Sequence, residues 1–506
     1  MQELQDRAQT RTDGGRAPAT ALAAYSRDTR IGQGLAGRID VRGTPPATTT
    51  AFRIASCTKS FTAAAILLLR DRGRLDLDDD VARYLPELIV TGWGAGLDPA
   101  PLTLRMLLSM SSGMPTDDPW ADRLESITRA DFAQMLGDGV RLVRRPGSGY
   151  EYSNLGYAML GRVVEVVSGA GYTEFVENEF LVPLGLTGTA FSRESVLAGI
   201  AAGESSATGV ATGFRKKTSA ANYGKDPDWT ALGMSGPGVF SAIGGIFCTL
   251  DDLGRWAQWL MDAFAEDGSP GNGPLSRETR REMQTMHRRT GEVGPEGTVN
   301  GYGYGLVVQH HALHGTVVGH SGGYPGFSSH MRWHPGRGLA MVGFENASYS
   351  NVGVAVQELL EEFLQQDSPV VSPVPAVAGG QLSGLPETRQ GQDPMVPWPE
   401  TLGAMESVEA LVRNWDTALA GEEFSSNVGL DVPWHERRAA LEAALAVVGP
   451  LLAPGSSQGR CLPPTWKTPA AAEWELPARD GALVLRIKMT PVNPPRVQLL
   501  EMASRQ

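Results

Sequence analysis

Three stretches of the sequence carry side chains that together could cleave an ester or amide through a covalent serine intermediate. The first is Ser56-Cys-Thr-Lys59, in which the serine and the lysine are three residues apart. On a helix such residues share one face, about 5–6 Å apart, so the amine can reach the hydroxyl. A serine hydroxyl needs a neighbouring base near neutral pH. Burial and the positive end of a helix would both lower the lysine pKa and make Lys59 that base.

The second stretch is Tyr152-Ser-Asn154, which follows a glycine-rich segment and precedes a helical pattern. The Tyr152 phenol could shuttle the proton if nearby cations lower its pKa from about 10. The Asn154 amide could donate to and accept from a substrate amide. For this stretch alone, the ordinary alternative is a packed tyrosine ring and an asparagine that caps the next helix.

The third stretch follows a strand-like run and reads Gly319-His320-Ser321-Gly322-Gly323. Because Gly322 and Gly323 have no side chains, an edge strand can lie close to a bound acyl group and point a backbone N–H at it. The N–H groups of Ser56 and Gly323 would form an oxyanion hole, in which each donor contributes roughly 3–4 kcal/mol. His320 would then lie beside Tyr152, whereas the ordinary alternative is a strand-end histidine with its hydrogen bonds satisfied.

The elements that must position these residues are predicted from periodicity. The run after Ser56 is rich in alanine and leucine and has no helix breaker, which predicts a buried helix that begins near Ser56. Thr103 is typical of the N-cap of a helix through Leu108. Apolar residues at helical spacing predict another helix after Asn154. The segment 75–88, with its acidic start, is a further helical candidate that stops at Pro86.

Strand patterns lie towards both ends of this region. The segment 21–41 is predicted to form two strands, and short β-like runs separated by Gly, Pro and Asn from Gly303 onward predict an antiparallel meander. An amphipathic helix from about Val352 to Leu364 follows. The order strands, helices, strands predicts an α+β fold whose sheet is built from both ends of the region.

Length and composition bound the class of protein. A chain of 506 residues exceeds what one core usually supports, and 42% apolar with 20% charged residues is typical of a globular protein. The formal charge of −12 argues against nucleic acid or an anionic membrane as the main partner. The longest apolar stretches, such as 63–69, are far shorter than the roughly 20 residues of a membrane span. The first residues have no apolar signal-peptide core, so the expectation is a cytoplasmic protein, although a removed leader would look the same.

Three units are predicted along the chain. Residues 1–366 carry the three chemical stretches, and residues 367–400 contain seven prolines and no periodic apolar face, which is typical of a linker. Residues 401–506 are predicted to form a small α+β accessory domain without recognisable chemistry. Its expected elements are helices at 408–419 and 436–448 and strands at 482–489 and 496–500.

Other motifs favour different chemistry but lack the context it requires. The segment 319–323 matches the G-x-S-x-G elbow of α/β-hydrolases, yet Pro325 and a strand pattern follow instead of a helix. The segment 32–37 matches G-x-G-x-x-G, yet it precedes a strand-like run, so no dinucleotide site is predicted. Histidines near 310–320 have no carboxylate or cysteine at ligand spacing, so no metal is predicted. Three cysteines, far apart, are interpreted as buried free thiols.

Taken together, the three stretches occur in the order S-x-x-K, Y-x-N, H-x-G, and here the chain resembles the serine β-lactamase-related family. That family also holds D,D-carboxypeptidases, D-aminopeptidases and β-lactamase-like esterases. The resemblance covers residues from about 20 to 365. Further segments that carry it are 52–63, 107–115, 152–157, 183–189, 244–253 and 302–306.

The resemblance implies a β-lactamase/transpeptidase-like fold, with a helical subdomain packed against helices around a five-stranded antiparallel sheet and the active site between them. It also implies a role for each residue of the three stretches. These are Ser56 as nucleophile, Lys59 as base, Tyr152 as acid/base partner, His320 as the catalytic residue of the third stretch, Asn154, Ser321 and Gly322 as substrate contacts, and Gly323 with Ser56 for the oxyanion.

Two of the three stretches depart from the class A pattern S-x-x-K, S-D-N, K-T-G. Tyr-Ser-Asn replaces the second, as in the class C branch, and His-Ser-Gly replaces the third, as in the peptidase, amidase and some esterase branches. An imidazole that is mostly neutral near pH 7 therefore replaces a permanent ammonium. This weakens the anchoring of a β-lactam carboxylate, so efficient antibiotic hydrolysis is not expected.

The predicted function is hydrolysis of an ester or amide, of peptide or D-amino-acid type, through an acyl-Ser56 intermediate without a metal or organic cofactor. The expected partner is a small-molecule or peptide substrate. Carboxylesterase activity and acyl transfer to an amine, including peptide cyclisation, use the same machinery and remain open. A non-catalytic sensor with the same fold is the alternative of another class, although such proteins usually lose the serine or the lysine. Tyr150, Trp120, Tyr223 and Trp229 could shape the cleft.

Overall fold

The computed structural model describes residues 2–91, 101–217, 229–265, 273–291, 293–294, 297–366, 395–415, 421–454 and 463–505. In the first 366 residues the described strands are β1 Ala19–Tyr25, β2 Arg30–Gly37, β3 Thr50–Arg53, β4 Val90–Thr91, β5 Val140–Arg141, β6 Gly209–Val210, β7 Phe214–Lys216, β8 Trp229–Ala231, β9 Phe247–Cys248, β10 Arg288–Arg289, β11 Val299–Tyr302, β12 Val307–His311, β13 Gly315–Tyr324, β14 Phe327–His334 and β15 Leu339–Glu345. The helices of the same part are α1 Gln2–Asp13, α2 Lys59–Asp71, α3 Leu104–Leu108, α4 Asp118–Ala121, α5 Arg129–Asp138, α6 Asn154–Ser168, α7 Tyr172–Val176, α8 Arg193–Ala202, α9 Ser241–Gly244, α10 Leu250–Asp262, α11 Arg277–Met283 and α12 Val352–Gln366.

The main sheet joins both ends of this region in the order β10-β11-β12-β13-β14-β15-β1-β2, with every neighbouring pair antiparallel. Strand β1, with the sequence ATALAAY, is buried along its whole length because helices cover both faces of the sheet. Helices α1 and α12 pack on one face, and α10 packs on the other. The α+β class predicted from the sequence is confirmed.

The strand count implied by the resemblance is too low for the described sheet. Strands β2, β1, β15, β14 and β13 make five, and the segment 288–311 adds β12, β11 and β10 beyond β13. However, the pairing between β12 and β13 extends only over residues 315–319 of β13. Residues 320–324 pair with β14 on one side and have no strand on the other among the described residues. The third stretch therefore lies where β13 becomes an edge strand.

Helix α2 is the centre of the helical layer. Its residues from Lys59 to Leu69 are buried, and the Phe61 ring stacks on Trp256 of α10 with the centroids 3.8 Å apart. Ala55–Thr58 form a 3₁₀ turn directly before it, so the nucleophile candidate precedes the first α-helical residue. The predicted helices after Thr103 and Asn154 are present as α3 and α6, and the Thr103 hydroxyl accepts from the N–H of Met106.

The helical candidate at 75–88 is wrong for most of its length. Only Val81–Arg83 are helical, as a single 3₁₀ turn. The acidic side chains bind local backbone N–H groups instead, since Asp76 accepts from the N–H of Asp78 and Asp80 from that of Ala82. Aspartate competes in this way with helix formation, which explains the turn.

The C-terminal part contains α13 Pro399–Asn414, α14 Asn427–Asp431, α15 Trp434–Val448, β16 Thr465–Thr468, β17 Ala471–Ala478, β18 Gly481–Met489 and β19 Val497–Arg505. Its four strands form an antiparallel sheet with a hydrophobic cluster of its own. Helix α13 begins inside the predicted linker and nine residues before the predicted helix at 408, because Pro399 suits the first turn of a helix. Residues 367–394 of the predicted linker lie outside the described residues, and the division into domains stays a prediction.

Polar contacts join the C-terminal part to the helical layer beside the site. Arg123 binds the Asp431 carboxylate at 2.8 Å, and the Gln498 amide donates to the Thr116 carbonyl at 3.1 Å. Helix α4 lies against both α14 and β19. The segment that carries α4 is therefore packed between the C-terminal part and α6. Among the residues that the structure describes, no helix has the length and apolar character needed to cross a bilayer.

A buried ion pair fixes the strand that leads into the first stretch. Arg53 of β3 is 1% exposed and contacts the 2% exposed Glu125 at 2.5 Å, while the Tyr324 hydroxyl donates to the same carboxylate at 3.0 Å. We expect Glu125→Ala to lower the free energy of unfolding by about 3–5 kcal/mol, because the buried guanidinium loses its counter-charge. Urea denaturation measures this. Glu179→Ala, which breaks the exposed pair with Arg72, is the control and should lower it by less than about 1 kcal/mol. An equal effect of the two substitutions would contradict the prediction.

Candidate active site

Ser56 is accessible at a point where its neighbours are not. Residues 51–55 and 57–60 are buried, whereas Ser56 is partly exposed. The preceding Ala55 has a φ of 47°, a left-handed conformation that is unfavourable for any residue with a side chain. Strain of this kind persists where the surrounding structure holds it, often at functional sites. The turn thus presents the Ser56 hydroxyl at the surface of an otherwise buried layer.

The Lys59 ammonium lies one helical turn below this hydroxyl. Its Nζ donates to Ser56 Oγ at 2.9 Å and to the Ile243 carbonyl at 3.0 Å. Burial lowers the pKa of Lys59 to about 8, against the negative charges of Asp118, Asp122 and Asp117, which raise it. A lysine with this pKa is partly neutral near physiological pH and can accept a proton. The structure therefore contains the contact between Lys59 and Ser56 that their spacing in the sequence predicts.

Tyr152 is the second group at the Ser56 hydroxyl. Burial raises the pKa of Tyr152 well above 10, and only its hydrogen bond with Ser56 acts in the other direction among the leading influences. The centre of its ring is 5.1 Å from Lys59 Nζ. The expectation that nearby cations lower the Tyr152 pKa is wrong, because desolvation of the phenolate is the larger effect. Tyr152 is therefore a neutral phenol that can pass a proton on, and Lys59 is the better base.

Asn154 opens α6 and is held by two aspartates. Its backbone N–H and that of Leu155 donate to the Asp117 carboxylate at 2.7 and 2.9 Å, so Asp117 and the Ser153 hydroxyl, which accepts from Gly156, occupy the helix N-terminus. The Asn154 side-chain Nδ2 donates to Asp118 Oδ1 at 2.8 Å, whereas its Oδ1 has no partner among the residues that the structure describes. The N-cap of α6 is Ser153, so the alternative in which Asn154 caps this helix is wrong.

His320 lies beside Tyr152, and its hydrogen bonds within the described structure go to two groups other than Ser56. Its Nδ1 lies 2.6 Å from the Ser321 carbonyl, which can only accept, so Nδ1 carries the proton and Nε2 accepts from the Tyr302 hydroxyl at 2.9 Å. Burial lowers the pKa of His320 to about 3, so the ring is neutral. Its ring centre is 6.2 Å from that of Tyr152. The third stretch therefore carries no positive charge, as the sequence predicts.

The glycines of the third stretch allow β13 to approach the nucleophile turn. A Cβ on Gly322 would lie 2.3 Å from the Ile54 carbonyl oxygen and 3.1 Å from Ala55 Cβ, so no side chain fits there. A Cβ on Gly323 would lie 2.9 Å from the Tyr349 ring. The Ser321 hydroxyl lies 3.0 Å from His330 Nδ1. The strand and the turn are thus in direct contact, while the oxyanion hole of Ser56 and Gly323 stays a prediction.

Several residues of this site were not assigned from the sequence. Tyr302, which orients His320, was noted only as part of a matching segment, and the carbonyl of Ile243 carries no signal that a motif could reveal. Asp117 and Asp118 lie 37 and 36 residues before Asn154, and their adjacency in the sequence is the signal that could have drawn attention to them.

The remaining predictions about the site have mixed outcomes. Tyr150 is half-buried with its ring centre 6.1 Å from that of Tyr302, Trp120 is buried against Phe240, and Tyr223 lies outside the described residues. Cys57 and Cys248 are free and buried, and Cys461 lies outside the described residues. No group of three or more potential metal ligands occurs within the described part of the chain.

With this geometry in place, comparison with known proteins gives the family. A model of the Beta-lactamase family matches residues 4–365. The chain belongs to the beta-lactamase family. The resemblance noted in the sequence is thereby confirmed. The match ends at the predicted boundary of the N-terminal unit and does not include the C-terminal part.

Two curated relatives and one solved structure illustrate the family likeness. Protein flp of Staphylococcus aureus is 37% identical over 154 residues, which are 29% of this chain and 29% of that protein. A penicillin-binding protein of Bacillus subtilis is 29% identical over 301 residues, 57% of this chain and 58% of that protein. The chain thus spans between about three and six tenths of the length of these relatives. The octameric penicillin-binding protein homologue of Pyrococcus abyssi has the same fold, with a TM-score of 0.56 at 20% identity over 97% of both chains.

Proposed function

We propose that this beta-lactamase family member cleaves an ester or amide through an acyl intermediate on Ser56. The observation that supports this most directly is the 2.9 Å contact from the buried Lys59 amine to a partly exposed serine hydroxyl. A purely structural hydrogen bond would not need the serine to be accessible, and a lysine–serine pair on the surface would not lower the lysine pKa. Tyr152, whose ring centre lies 5.1 Å from Lys59 Nζ and whose pKa the Ser56 side chain lowers, is proposed as the second proton-handling group.

The reaction follows from these contacts. Neutral Lys59 takes the proton of Ser56 as Oγ attacks the substrate carbonyl carbon, and a tetrahedral oxyanion forms. The bond to the leaving alcohol or amine then breaks while Tyr152 donates its proton to the leaving group and is reprotonated by Lys59. In the second half, water loses a proton to the same pair and attacks the acyl carbon. The acid leaves, and Ser56 Oγ regains its proton.

The pKa of Lys59 gives an expected pH dependence. Only the neutral amine accepts the serine proton, and its fraction rises with pH through the lowered pKa of about 8. The value of kcat/KM should therefore rise about tenfold per pH unit below that pKa and level off above it. An uncharged p-nitrophenyl ester is the suitable substrate because it does not titrate itself. A profile that is flat across this range, or that falls as pH rises, would contradict Lys59 as the base.

The proposal is tested by covalent labelling followed by turnover. A fluorophosphonate should label wild-type protein on the peptide that contains Ser56, as located by mass spectrometry, and leave Ser56→Ala unlabelled. A panel of p-nitrophenyl esters, amino-acid amides and nitrocefin then assigns the bond that is cleaved. Slow turnover of nitrocefin is expected, because neutral His320 offers no charge to a β-lactam carboxylate. Absence of labelling would favour the non-catalytic binder instead.

The same acyl intermediate could pass to an amine instead of water. Added amines distinguish the two outcomes, because transfer yields an amide product whose amount rises with amine concentration, whereas hydrolysis yields only the free acid. The labelling result is the same for both. Product analysis therefore decides between hydrolase and acyltransferase within one mechanism.

A further inference from the structure

The segment 117–122 places three carboxylates beside the proposed nucleophile and base. Asp117 is fully occupied by the backbone N–H groups that open α6. Asp118 accepts from the Asn154 amide through Oδ1 alone, and Asp122 accepts from the Tyr349 hydroxyl at 2.9 Å. The contact between Asp118 and Asn154, which is two residues after Tyr152, places this carboxylate beside the site, and the charge of Asp118 raises the pKa of both Lys59 and Tyr152.

Among the residues that the structure describes, no ion pair joins Asp118 or Asp122 to a lysine or arginine. The nearest arginine in sequence, Arg123, binds the Asp431 carboxylate at 2.8 Å and the Leu430 carbonyl at 3.3 Å. Lys59 itself donates to Ser56 and to a carbonyl. Burial raises the pKa of Asp122 well above its usual range and that of Asp117 to about 7, so Asp118 is the carboxylate of this segment that we expect to bind a cation.

A buried hydrogen-bond acceptor, the side-chain oxygen of Asn154, belongs to the amide that binds Asp118. Asn154 is 1% exposed, and its Oδ1 has no hydrogen-bond partner within the described part of the chain. Its Nδ2 is bound to Asp118, so the free oxygen belongs to an amide that is already fixed against that carboxylate. A buried acceptor without a donor is unfavourable by about 1–3 kcal/mol. A bound ligand with N–H donors would supply the missing hydrogen bond to Oδ1, and a positively charged one would also form an ion pair with Asp118.

Tyr349 connects the segment 117–122 to the end of β13 that carries the third stretch. The Tyr349 hydroxyl is held by the 6% exposed Asp122, while its ring lies against Gly323, where an added Cβ would be 2.9 Å from the ring. Tyr349 has a φ of 48°, so its position is held by the surrounding contacts rather than by backbone preference. Tyr349 thus extends from the aspartate segment to Gly323, the proposed oxyanion donor.

We propose that Asp118 and Asn154 Oδ1 bind a free ammonium group on the acyl donor, so that the substrates are aminoacyl esters or amides rather than N-acylated ones. An ammonium has three donors and no acceptor, which matches one carboxylate and one amide oxygen. Asp118 is then a specificity-determining residue. This inference rests on the proposed acyl-Ser56 chemistry, because it places the ammonium beside the carbonyl under attack.

The test compares alanine p-nitroanilide with its N-acetyl counterpart, in both enantiomers, near pH 7 where an α-amino group is largely protonated. Wild-type protein should prefer the free amine, and Asp118→Asn should lower the ratio of the two kcat/KM values by about 10- to 100-fold, as expected for a hydrogen bond to a charged group. The ratio is used because the substitution also changes the pKa of Lys59, which affects both substrates equally. Asp118→Glu should restore part of the preference.

Asp13→Asn is the matched control, because Asp13 also accepts from a side-chain amide at 2.8 Å but lies on the exposed end of α1. It should leave the ratio unchanged. Labelling of Ser56 by a fluorophosphonate, which needs no ammonium, reports whether Asp118→Asn retains a folded site. If the variant is not labelled, inhibition of wild-type labelling by alaninamide and N-acetylalaninamide replaces the variant: stronger inhibition by the free amine supports the inference.

Two results would overturn the inference and leave the proposed function intact. They are a labelled wild-type protein that does not prefer the free amine, and an Asp118→Asn ratio equal to that of wild type. If neither anilide is cleaved, inhibition of labelling by the two amides decides in the same way. Absence of Ser56 labelling in wild-type protein is a failure of the proposed function instead.

Discussion

Replacing Ser56 by alanine is expected to lower kcat/KM by at least about 10⁴-fold, the scale seen when a nucleophile is removed from a group that acts as a unit. The attacking Oγ is lost, and among the described residues no other hydroxyl accepts a hydrogen bond from Lys59. The free energy of unfolding should change by less than about 1 kcal/mol, because Ser56 is partly exposed and contributes a single side-chain hydrogen bond to the lysine. Steady-state kinetics with the best ester of the panel and thermal melting measure the two effects.

Ser148→Ala is the control for this experiment. Ser148 lies in the glycine-rich loop before Tyr152, and its hydroxyl donates only to the Arg145 carbonyl. Activity should remain near that of wild type. If Ser56→Ala retained substantial turnover while Ser148→Ala or another serine variant lost it, the nucleophile would be assigned wrongly.

Replacing Lys59 by methionine is expected to lower kcat/KM by about 10²- to 10⁴-fold, the usual contribution of a general base. Methionine has a similar length and fills the buried space, so the loss reports the missing amine rather than a cavity. Stability should stay the same or rise, because the lysine is completely buried and its charge is desolvated there. The pH dependence near pH 8 should also disappear from the residual activity.

Lys467→Met makes the same chemical change on the exposed strand β16. It should leave both activity and the pH profile unaltered. Near-full activity in Lys59→Met would show that another group accepts the serine proton, and Tyr152 would then be the candidate despite its raised pKa. The variants thus separate the two possible bases, which the distances alone do not.

The C-terminal part packs against the segment whose aspartates influence Lys59. Helix α4 contacts both α14 and β19, and the segment that carries it holds the aspartates that act on Lys59. The pKa of the base is therefore set partly by a segment packed against residues beyond 420. A truncation would change that segment as well as the C-terminal part, so point substitutions are the cleaner experiment.

Much of this protein was determined by local sequence. The reach from Lys59 to Ser56 follows from helical spacing, the Thr103 cap follows from one hydroxyl, and the neutral third stretch follows from the residue type at 320. The strands around β13 and the helix from Val352 were predicted from periodicity within short windows. Such features depend on interactions over a few residues, which the order of residue types already specifies.

Tertiary structure alone decided the features that depend on distant partners. It set the direction of the Tyr152 pKa, the partners of His320, the unpartnered Oδ1 of Asn154 and the point at which β13 becomes an edge. Each depends on burial or on a residue tens of positions away, such as Tyr302 or Asp118. Desolvation is a property of everything packed around a group, and hydrogen bonds depend on distances of a few tenths of an ångström. Residue spacing along the chain contains neither, so only the packed molecule could supply them.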